Sequence, residues 1–402
     1  MAGKKRKRLR DEDVTGLKYF DQLGPLLARL HEVGCQGDKA GNRTLHYDQY
    51  CLLVLLFFFN PIVRSLRAVQ QASELTKVQK KLGCLRASLG SLSESSHVFD
   101  PALLKEIIAE LGQQLRPIAA DARLADLRHT LTLVDGTLLS VLPTLALASW
   151  LKTNTGKGQV KWRLHTHFVF DKHVPVRIDV RRDGGGALDE RSVMGKAIES
   201  DRCYVMDRGF AKFKLFNDIH AAGSSYVCRI RDNSQFEVLQ ERTLSAEAQA
   251  AGVVQDSLVR LGASSKPDSQ PDHPLRVVVV KITPHEKRGG AAGHGSDGFL
   301  RIATNLLDVP AEIIALIFRH RWSIEIFFRF FKHVLGCRHL ISHDQRGIEI
   351  QTYCAIIACM LISLWTGRKP TLRTYEMICY FFIGWASEEE LLAHLRKLPA
   401  HA

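Results

Sequence analysis

The stretch His129-Thr-Leu-Thr-Leu-Val-Asp-Gly-Thr137 marks a change in the character of the sequence. Before it, from Leu17 to about Arg128, leucine-rich windows alternate with Lys, Gln and Arg and contain few strand signals, which predicts a helical region. The quoted stretch is instead rich in β-branched residues and ends in Asp-Gly, a pattern typical of a strand that runs into a turn. The chain is therefore predicted to pass from a helical region into an α/β region near Arg128.

Four more strands and two helices are predicted downstream of this first strand. Their order along the chain, β-β-β-α-β-α-β, fits the mixed five-stranded sheet of the RNase H-like fold, in which the first three strands are antiparallel and the fourth and fifth are parallel. Residues 231–303 then change in composition around one clear strand, Leu275–Ile282, and are predicted to be a β-rich insertion. The other predicted elements are the strands Trp162–Phe170, Pro175–Val180, Arg202–Asp207 and Ser225–Ile230 and the helices Leu188–Glu199 and Lys212–Ala222.

The charge and cysteine content narrow the class of protein. The net charge of the 402-residue chain is +13, which indicates a polyanionic partner such as DNA or RNA. The nine cysteines form no C-x-x-C pair and no zinc-ligand spacing, so a reducing compartment is the simplest interpretation. The apolar runs Cys51–Phe59 and Cys354–Trp365 are short for a membrane span and are predicted to be core helices.

A second informative stretch, Phe318-Arg-His-Arg-Trp-Ser-Ile-Glu-Ile-Phe-Phe-Arg-Phe-Phe-Lys332, is predicted to be one helix. Asp308 is a candidate N-cap, Pro310 lies in the first turn, and Gly336 ends the helix. At about 3.6 residues per turn, one face of this helix carries a carboxylate between two cations. That arrangement is typical either of a solvated ion-pair stripe or of a functional site. The residues on this face are Arg321, Glu325, Phe328 and Lys332.

Three carboxylates stand where the predicted elements converge. Asp135 ends the first strand and Asp207 ends the fourth, and these strands are neighbours in the predicted sheet. Their carboxyl ends bring both side chains within reach of one metal ion, and a helix packed across that edge adds Glu325. Such oxygen ligands suit Mg²⁺ or Mn²⁺, and two ions about 3.5–4 Å apart activate the attacking hydroxyl and stabilise the leaving oxygen of a phosphodiester. Taken singly, Asp135 and Asp207 are more simply read as turn residues, and Glu325 as part of an ion-pair stripe on a helix.

The spacing of these residues resembles the signature of the DDE transposases of the insertion sequence 4 family, Tyr-x2-Arg-x3-Glu-x6-Lys. In this sequence the signature reads Phe318-x2-Arg321-x3-Glu325-x6-Lys332, with phenylalanine in the position of the family's tyrosine. The phenylalanine leaves the acidic residues intact but removes a hydroxyl that could bond a phosphate. The resemblance covers about residues 17–370. It also rests on Val134-Asp135-Gly136-Thr137, Met206-Asp207-Arg208-Gly209-Phe210 and Ala303-Thr304-Asn305-Leu306.

The resemblance implies a DNA transposase that binds the ends of its insertion sequence, cleaves them and transfers the 3′-OH strands to target DNA by two-metal phosphoryl transfer. It implies that Asp135, Asp207 and Glu325 are catalytic and hold two Mg²⁺ or Mn²⁺ ions. It also implies a homodimer in a synaptic complex with double-stranded DNA, in the bacterial cytoplasm at the nucleoid and without a membrane. The residues assigned to DNA contact are Arg208, Phe318, Arg321 and Lys332.

The predicted organisation has four parts: a basic flexible arm (1–16), a helical DNA-binding domain (17–127), an RNase H-like catalytic domain (128–370) that contains the insertion, and a C-terminal helical tail (371–402). Asp189 and Glu190 are interpreted as residues of a helix N-terminal turn. Two other functions stay open: a decayed or domesticated copy that only binds DNA, and an RNase H-like nuclease without strand transfer. The intact carboxylates and the flanking Arg and Lys favour transposition.

Overall fold

The computed structural model describes residues 20–21, 23–33, 37–38, 41–118, 121–138, 162–182, 185–262, 270–282, 298–336 and 345–397. The basic arm predicted at residues 1–16 lies outside the described residues. A mixed sheet of nine strands runs through the middle of the described part. Its strands are β1 (Thr130–Leu138), β2 (Trp162–Val169), β3 (Val174–Arg182), β4 (Arg202–Met206), β5 (Ser225–Arg229), β6 (Phe236–Glu241), β7 (Val253–Leu261), β8 (Leu275–Lys281) and β9 (Phe299–Thr304).

The order of the first five strands across the sheet is β3-β2-β1-β4-β5. The pairs β1–β2 and β2–β3 are antiparallel, whereas β1–β4 and β4–β5 are parallel. This is the arrangement predicted from the order of strands and helices along the sequence. The strands of the 231–303 segment continue the same sheet, because β9 pairs antiparallel with β5 and is followed outward by β8, β7 and β6.

Helices cover both faces of the first five strands. Side chains alternate between the two faces of a strand, so each strand contributes to a core on either face. On β1, Leu133 enters a core shared with most of the helices, whereas Val134 enters a second core with the two helices that flank β4. The helices are α1 (Gly24–Ala28), α2 (Leu30–Val33), α3 (Tyr47–Phe59), α4 (Leu66–Ser73), α5 (Thr76–Leu82), α6 (Leu89–Val98), α7 (Ala102–Gln114), α8 (Glu190–Gly195), α9 (Phe213–Ala221), α10 (Ala246–Ala250), α11 (Ala311–His320), α12 (Trp322–Gly336), α13 (Gln345–Thr366), α14 (Leu372–Phe382) and α15 (Glu388–Lys397).

The long helix α13 is the centre of the larger core and contacts α3, α6, α7 and α12. It is apolar on all sides, as expected for a helix that is surrounded by protein. Its length and composition alone would suffice to cross a membrane, but 89% of its apolar window is buried inside the protein. Both α13 and α3 are therefore core helices, as the sequence predicts.

The helical regions before and after the sheet share one core. Phe59 of α3 contacts Trp365 of α13 and stacks on Phe382 of α14 with ring centroids 5.2 Å apart. The hydroxyl of Tyr375 also donates to the carbonyl of Phe58 at 2.8 Å. The boundaries of the regions 17–127, 128–370 and 371–402 stay a prediction, and the helices on either side of them pack together.

The prediction of one continuous helix through Arg321 is wrong. Helix α11 ends at His320 and α12 begins at Trp322. At the junction the backbone tightens to bonds that span three residues, from Arg321 N to Phe318 O at 3.1 Å and from Ile324 N to Arg321 O at 3.2 Å. The helical periodicity of the sequence did not reveal this break, because Arg321 itself keeps right-handed helical angles.

Candidate active site

Asp135 and Asp207 come from neighbouring parallel strands. Leu133 of β1 lies opposite Val205 of β4, and continuing this register by two residues brings Asp135 level with Asp207. The backbone of Asp207 is extended before a 3-10 turn at Arg208–Phe210, so its side chain keeps the alternation of β4. Both carboxylates therefore emerge on the face to which Leu133 and Val205 belong, which is the face of the larger core.

Helix α12 brings Glu325 to the same face. The helix contacts β1, and its apolar side chains Ile324, Phe327 and Phe331 are buried in the larger core. Glu325 projects from the other side of the helix and is 29% exposed. The aromatic content of this stretch thus serves packing, and packing fixes the position of the carboxylate.

Arg321 links two of the three carboxylates. Its Nη2 donates to Glu325 Oε1 at 2.6 Å, and its Nη1 lies 3.7 Å from Asp135 Oδ2. The side chain of Arg321 is only 16% exposed, so this ion pair is shielded from solvent more than a surface pair. The guanidinium therefore offsets part of the combined negative charge of Asp135 and Glu325.

The charge balance around Asp135 is incomplete. Burial raises the pKa of Asp135 to about 6, against the opposing effects of the Arg321 charge and of the Gly136 N–H, and the charges of Glu325 and Glu190 raise it further. Burial also lowers the pKa of Lys332, whose ammonium is within electrostatic reach of Asp135. A group of carboxylates that retains excess negative charge is suited to a divalent cation.

The residues present fit a metal site by their chemistry. Their donors are carboxylate oxygens, the ligands of Mg²⁺ and Mn²⁺. In the part of the chain that the structure describes, no three His, Cys, Asp or Glu side chains already form a group that could hold a metal ion. Arg321 engages Glu325 and approaches Asp135, and a cation bound by these oxygens would compete with it.

The other residues assigned to DNA contact from the sequence lie around these carboxylates. Arg208 is exposed in the turn directly after Asp207. Phe318 is half-buried at the end of α11, and the Arg321 guanidinium carbon lies 5.9 Å from its ring centroid. Phe318 and Arg321 line one groove with Trp322, which is 39% exposed.

Glu190 is a neighbour of Asp135 that the sequence reasoning did not connect with it. The interpretation of Asp189 and Glu190 as residues of a helix N-terminal turn is confirmed, because the Asp189 side chain accepts a hydrogen bond from Arg191 N at 3.0 Å and Glu190 lies in the first turn of α8. Glu190 also forms an ion pair with Arg163 and contributes to the electrostatics of Asp135. The signal that could have found it is strand direction. Because β3 runs parallel to β1, the helix after β3 starts at the sheet edge where β1 ends.

The unusual pKa of Asp135 predicts a pH-dependent cost to stability. Its carboxyl titrates near pH 6 in the folded protein, above its ordinary value of 3.8, so the stability it contributes at low pH is lost as the pH rises through about 6. We expect Asp135→Asn to be more stable than the parent by about 1–2 kcal/mol at pH 7.5. The difference should shrink towards pH 4. Urea unfolding in EDTA at several pH values measures it, and a constant difference across this range would contradict the assignment.

Fold and site together describe an α/β enzyme with an acidic site at one edge of a mixed sheet. The family follows from comparison: residues 126–361, more than half of the chain, match the family model described as "Transposase DDE domain". The chain therefore belongs to this family and is a DNA transposase, an enzyme that cleaves DNA and transfers strands, as the sequence predicts. Assignment to the insertion sequence 4 family is consistent with this result.

Curated relatives carry the same description. The chain is 28% identical over 263 residues to a putative transposase y4zB of Sinorhizobium fredii, covering 63% of this chain and 67% of the relative. It is 27% identical over 216 residues to a probable transposase for insertion sequence element IS5377 of Geobacillus stearothermophilus, covering 52% of each. A putative transposase for insertion sequence element IS4SA of Synechocystis is 25% identical over 291 residues, with 69% and 71% covered.

Among solved structures, a piggyBac transposase synaptic complex with hairpin DNA has a TM-score of 0.42 and 10% sequence identity, with 96% of this chain and 84% of that chain covered.

Proposed function

We propose that Asp135, Asp207 and Glu325 are the catalytic residues of this transposase and hold two divalent cations, Mg²⁺ or Mn²⁺. The observation that carries the proposal is the register of β1 and β4, which sets the two aspartates level on the face against which α12 packs. Bound cations of this kind activate the attacking oxygen and stabilise the leaving oxygen of a phosphodiester. The chain's own part is to hold the carboxylates fixed on rigid elements around the scissile phosphate.

The cations of the chain are assigned to the DNA backbone. Arg321 presents a planar fork of donors suited to a phosphate, and it lies beside Asp135 and Glu325. Lys332 lies about two turns after Glu325 on α12 and acts on Asp135 electrostatically. Arg208 is exposed next to Asp207. We assign Arg321 and Lys332 to the phosphates that flank the scissile bond and Arg208 to the adjoining backbone.

The helical region 17–127 and the arm 1–16 are assigned to recognition of the element's terminal inverted repeats. In support, the exposed residues of the region include a series of cations on and around α4 and α5, which would contact phosphates. Because two DNA ends must be joined, we infer that two copies of the chain act together in the synaptic complex, on the chromosome of a bacterial cell. The exposed cations are Arg64, Arg67, Lys77, Lys80 and Lys81.

The experiment that tests this function uses a labelled DNA fragment carrying the terminal inverted repeat and an unlabelled target plasmid. With Mg²⁺ or Mn²⁺, the protein should nick the fragment at the repeat boundary and join the freed 3′-OH strand to the plasmid. Nicked fragment without joined product would favour a nuclease, and binding without nicking would favour a decayed copy. EDTA should abolish both products and leave the binding shift.

Phe318 offers a graded test of the site. Phe318→Tyr should keep metal-dependent cleavage and tighten binding to cleaved ends up to about tenfold, because a hydroxyl can donate to a phosphate oxygen. Phe318→Ala should weaken both, since it removes ring packing and the contact with the Arg321 guanidinium, worth about 0.5–1 kcal/mol. End binding and cleavage by the three proteins, measured side by side, test this. If Phe318→Ala matches the parent in both assays, this position is not part of the site.

A further inference from the structure

Glu190 lies against the backbone of β1 next to Asp135. Gly136 permits this approach, because a Cβ added at residue 136 would overlap Glu190 Oε1. Gly136 is paired with His165 of β2, so it is a strand residue here and the Asp-Gly pair is no free turn. The missing side chain of Gly136 creates the space that the Glu190 carboxylate occupies.

The fold holds Glu190 in this place from three sides. Asp189 caps α8 through Arg191 N, which starts the helix at Glu190. Met194 of the same helix is 2% exposed in the smaller core, where Val134 and Phe210 also lie. Arg163 Nη1 donates to Glu190 Oε1. The position of the carboxylate is thus fixed by a helix cap, by core packing and by an ion pair.

The charges around Asp135 form two matched pairs. Glu325 is paired with Arg321 on the α12 side, and Glu190 is paired with Arg163 on the α8 side. All three carboxylates are partly exposed to solvent, Asp135 by 23%, Glu325 by 29% and Glu190 by 26%. A cation that reaches Asp135 from solvent therefore has a second acidic side chain beside it on either face of the sheet.

We propose that Glu190 is a fourth acidic ligand of the divalent-cation site, beside Asp135, Asp207 and Glu325. The inference rests on the proposed function, because it requires that Asp135 holds a cation. Gly136 and Arg163 are its supporting residues: the glycine admits the carboxylate, and the arginine balances its charge. Sequence spacing around the signature helix gives no hint of this residue, since Glu190 lies on a different helix and a different face of the sheet.

The test compares Glu190→Gln, Asp135→Asn and Glu199→Gln with the parent as full-length chains. Glutamine keeps an oxygen that can accept from Arg163, so the ion-paired geometry can persist without the charge. Glu199 is the matched control, because it is 43% exposed and pairs with Arg202 away from the site. For each protein, Mn²⁺ is titrated twice, once against the thermal unfolding midpoint and once against cleavage of an end fragment.

We expect Glu190→Gln to need about tenfold or more Mn²⁺ for half-maximal response in both titrations. Glu199→Gln should match the parent, and Asp135→Asn should lose the Mn²⁺ response. If Glu190→Gln titrates like the parent while Asp135→Asn loses its response, the fourth ligand is overturned and the proposed catalytic residues stand. If Asp135→Asn also responds like the parent, the proposed metal site itself is wrong, and Glu190 falls with it.

Discussion

Asp135→Asn, Asp207→Asn and Glu325→Gln will each lower the rate of DNA cleavage by about 10³-fold or more and leave binding to the element's ends within about threefold. Each replacement removes one of the proposed anionic metal ligands, and a 10³-fold loss corresponds to about 4 kcal/mol of transition-state stabilisation. Affinity for DNA depends mainly on Lys and Arg contacts with phosphates. The chemical step and the binding step should therefore separate.

The measurements are single-turnover cleavage of an end fragment in Mg²⁺ and gel-shift titration of the same fragment in EDTA. Glu237→Gln is a suitable control, because Glu237 is 52% exposed on β6, where it forms an ion pair with the exposed Arg260. It should cleave and bind like the parent. If any one of the three variants nicks DNA at near the parental rate, that residue is not a catalytic ligand.

The pairing of Asp135 with Asp207 could be predicted because it depends on strand order alone. Two parallel neighbouring strands end at the same sheet edge, and the β-β-β-α-β-α-β pattern makes the first and fourth strands neighbours. The contribution of Glu190 could not be reached in this way. It requires knowing that Gly136 is paired within β1, and an Asp-Gly dipeptide gives the same sequence signal in a strand end and in a free turn.

The break at Arg321 and the shared core were hidden for another reason. A helical pattern fixes which residues share a face, but it does not detect one tightened turn between two consecutive helices. Nor does the pattern indicate which helices pack together. Because α3 and α13 are apolar on all sides, their sequences predict burial without indicating that Phe59 contacts Trp365. Such contacts join residues far apart in the chain and are decided by packing.

The 231–303 segment supports the site through a buried arginine. Arg276 of β8 is 1% exposed, and its Nη1 donates to the carbonyls of Leu306, Leu307 and Val309 at 3.1, 2.9 and 2.8 Å. These carbonyls belong to the loop that leads from β9 to α11 and on to Arg321. Nη2 of Arg276 donates to Asp256 Oδ2 of β7 at 3.0 Å. Strands β7 and β8 and the loop between β9 and α11 are thus joined at one guanidinium.

Arg276→Met will lower the free energy of unfolding by about 3–5 kcal/mol, the largest stability effect that we expect from a single substitution away from the apolar core. The variant leaves Asp256, which is 6% exposed, without its main partner, and it removes the Arg276 donor from the carbonyls of Leu306 and Val309, whereas the Leu307 carbonyl keeps a bond from Arg242. Arg242 cannot compensate, because its Nε lies 3.7 Å from Asp256 and its Nη1 already donates to Leu307. Urea unfolding followed by circular dichroism measures the change.

The matched control is Arg260→Met on β7, where an exposed ion pair with Glu237 should contribute only about 0–1 kcal/mol. Adding Asp256→Asn to Arg276→Met should recover part of the loss, since it removes the unpaired buried charge but does not restore the donors to the loop. A surface ion pair contributes at most about 1 kcal/mol. If the free energies of unfolding of the Arg276→Met and Arg260→Met proteins differ by less than about 1 kcal/mol, the guanidinium does not hold these elements together. A large loss with no recovery in the double variant would instead assign the effect to the lost bonds with the loop carbonyls, and so to the anchoring of the segment that leads into α11.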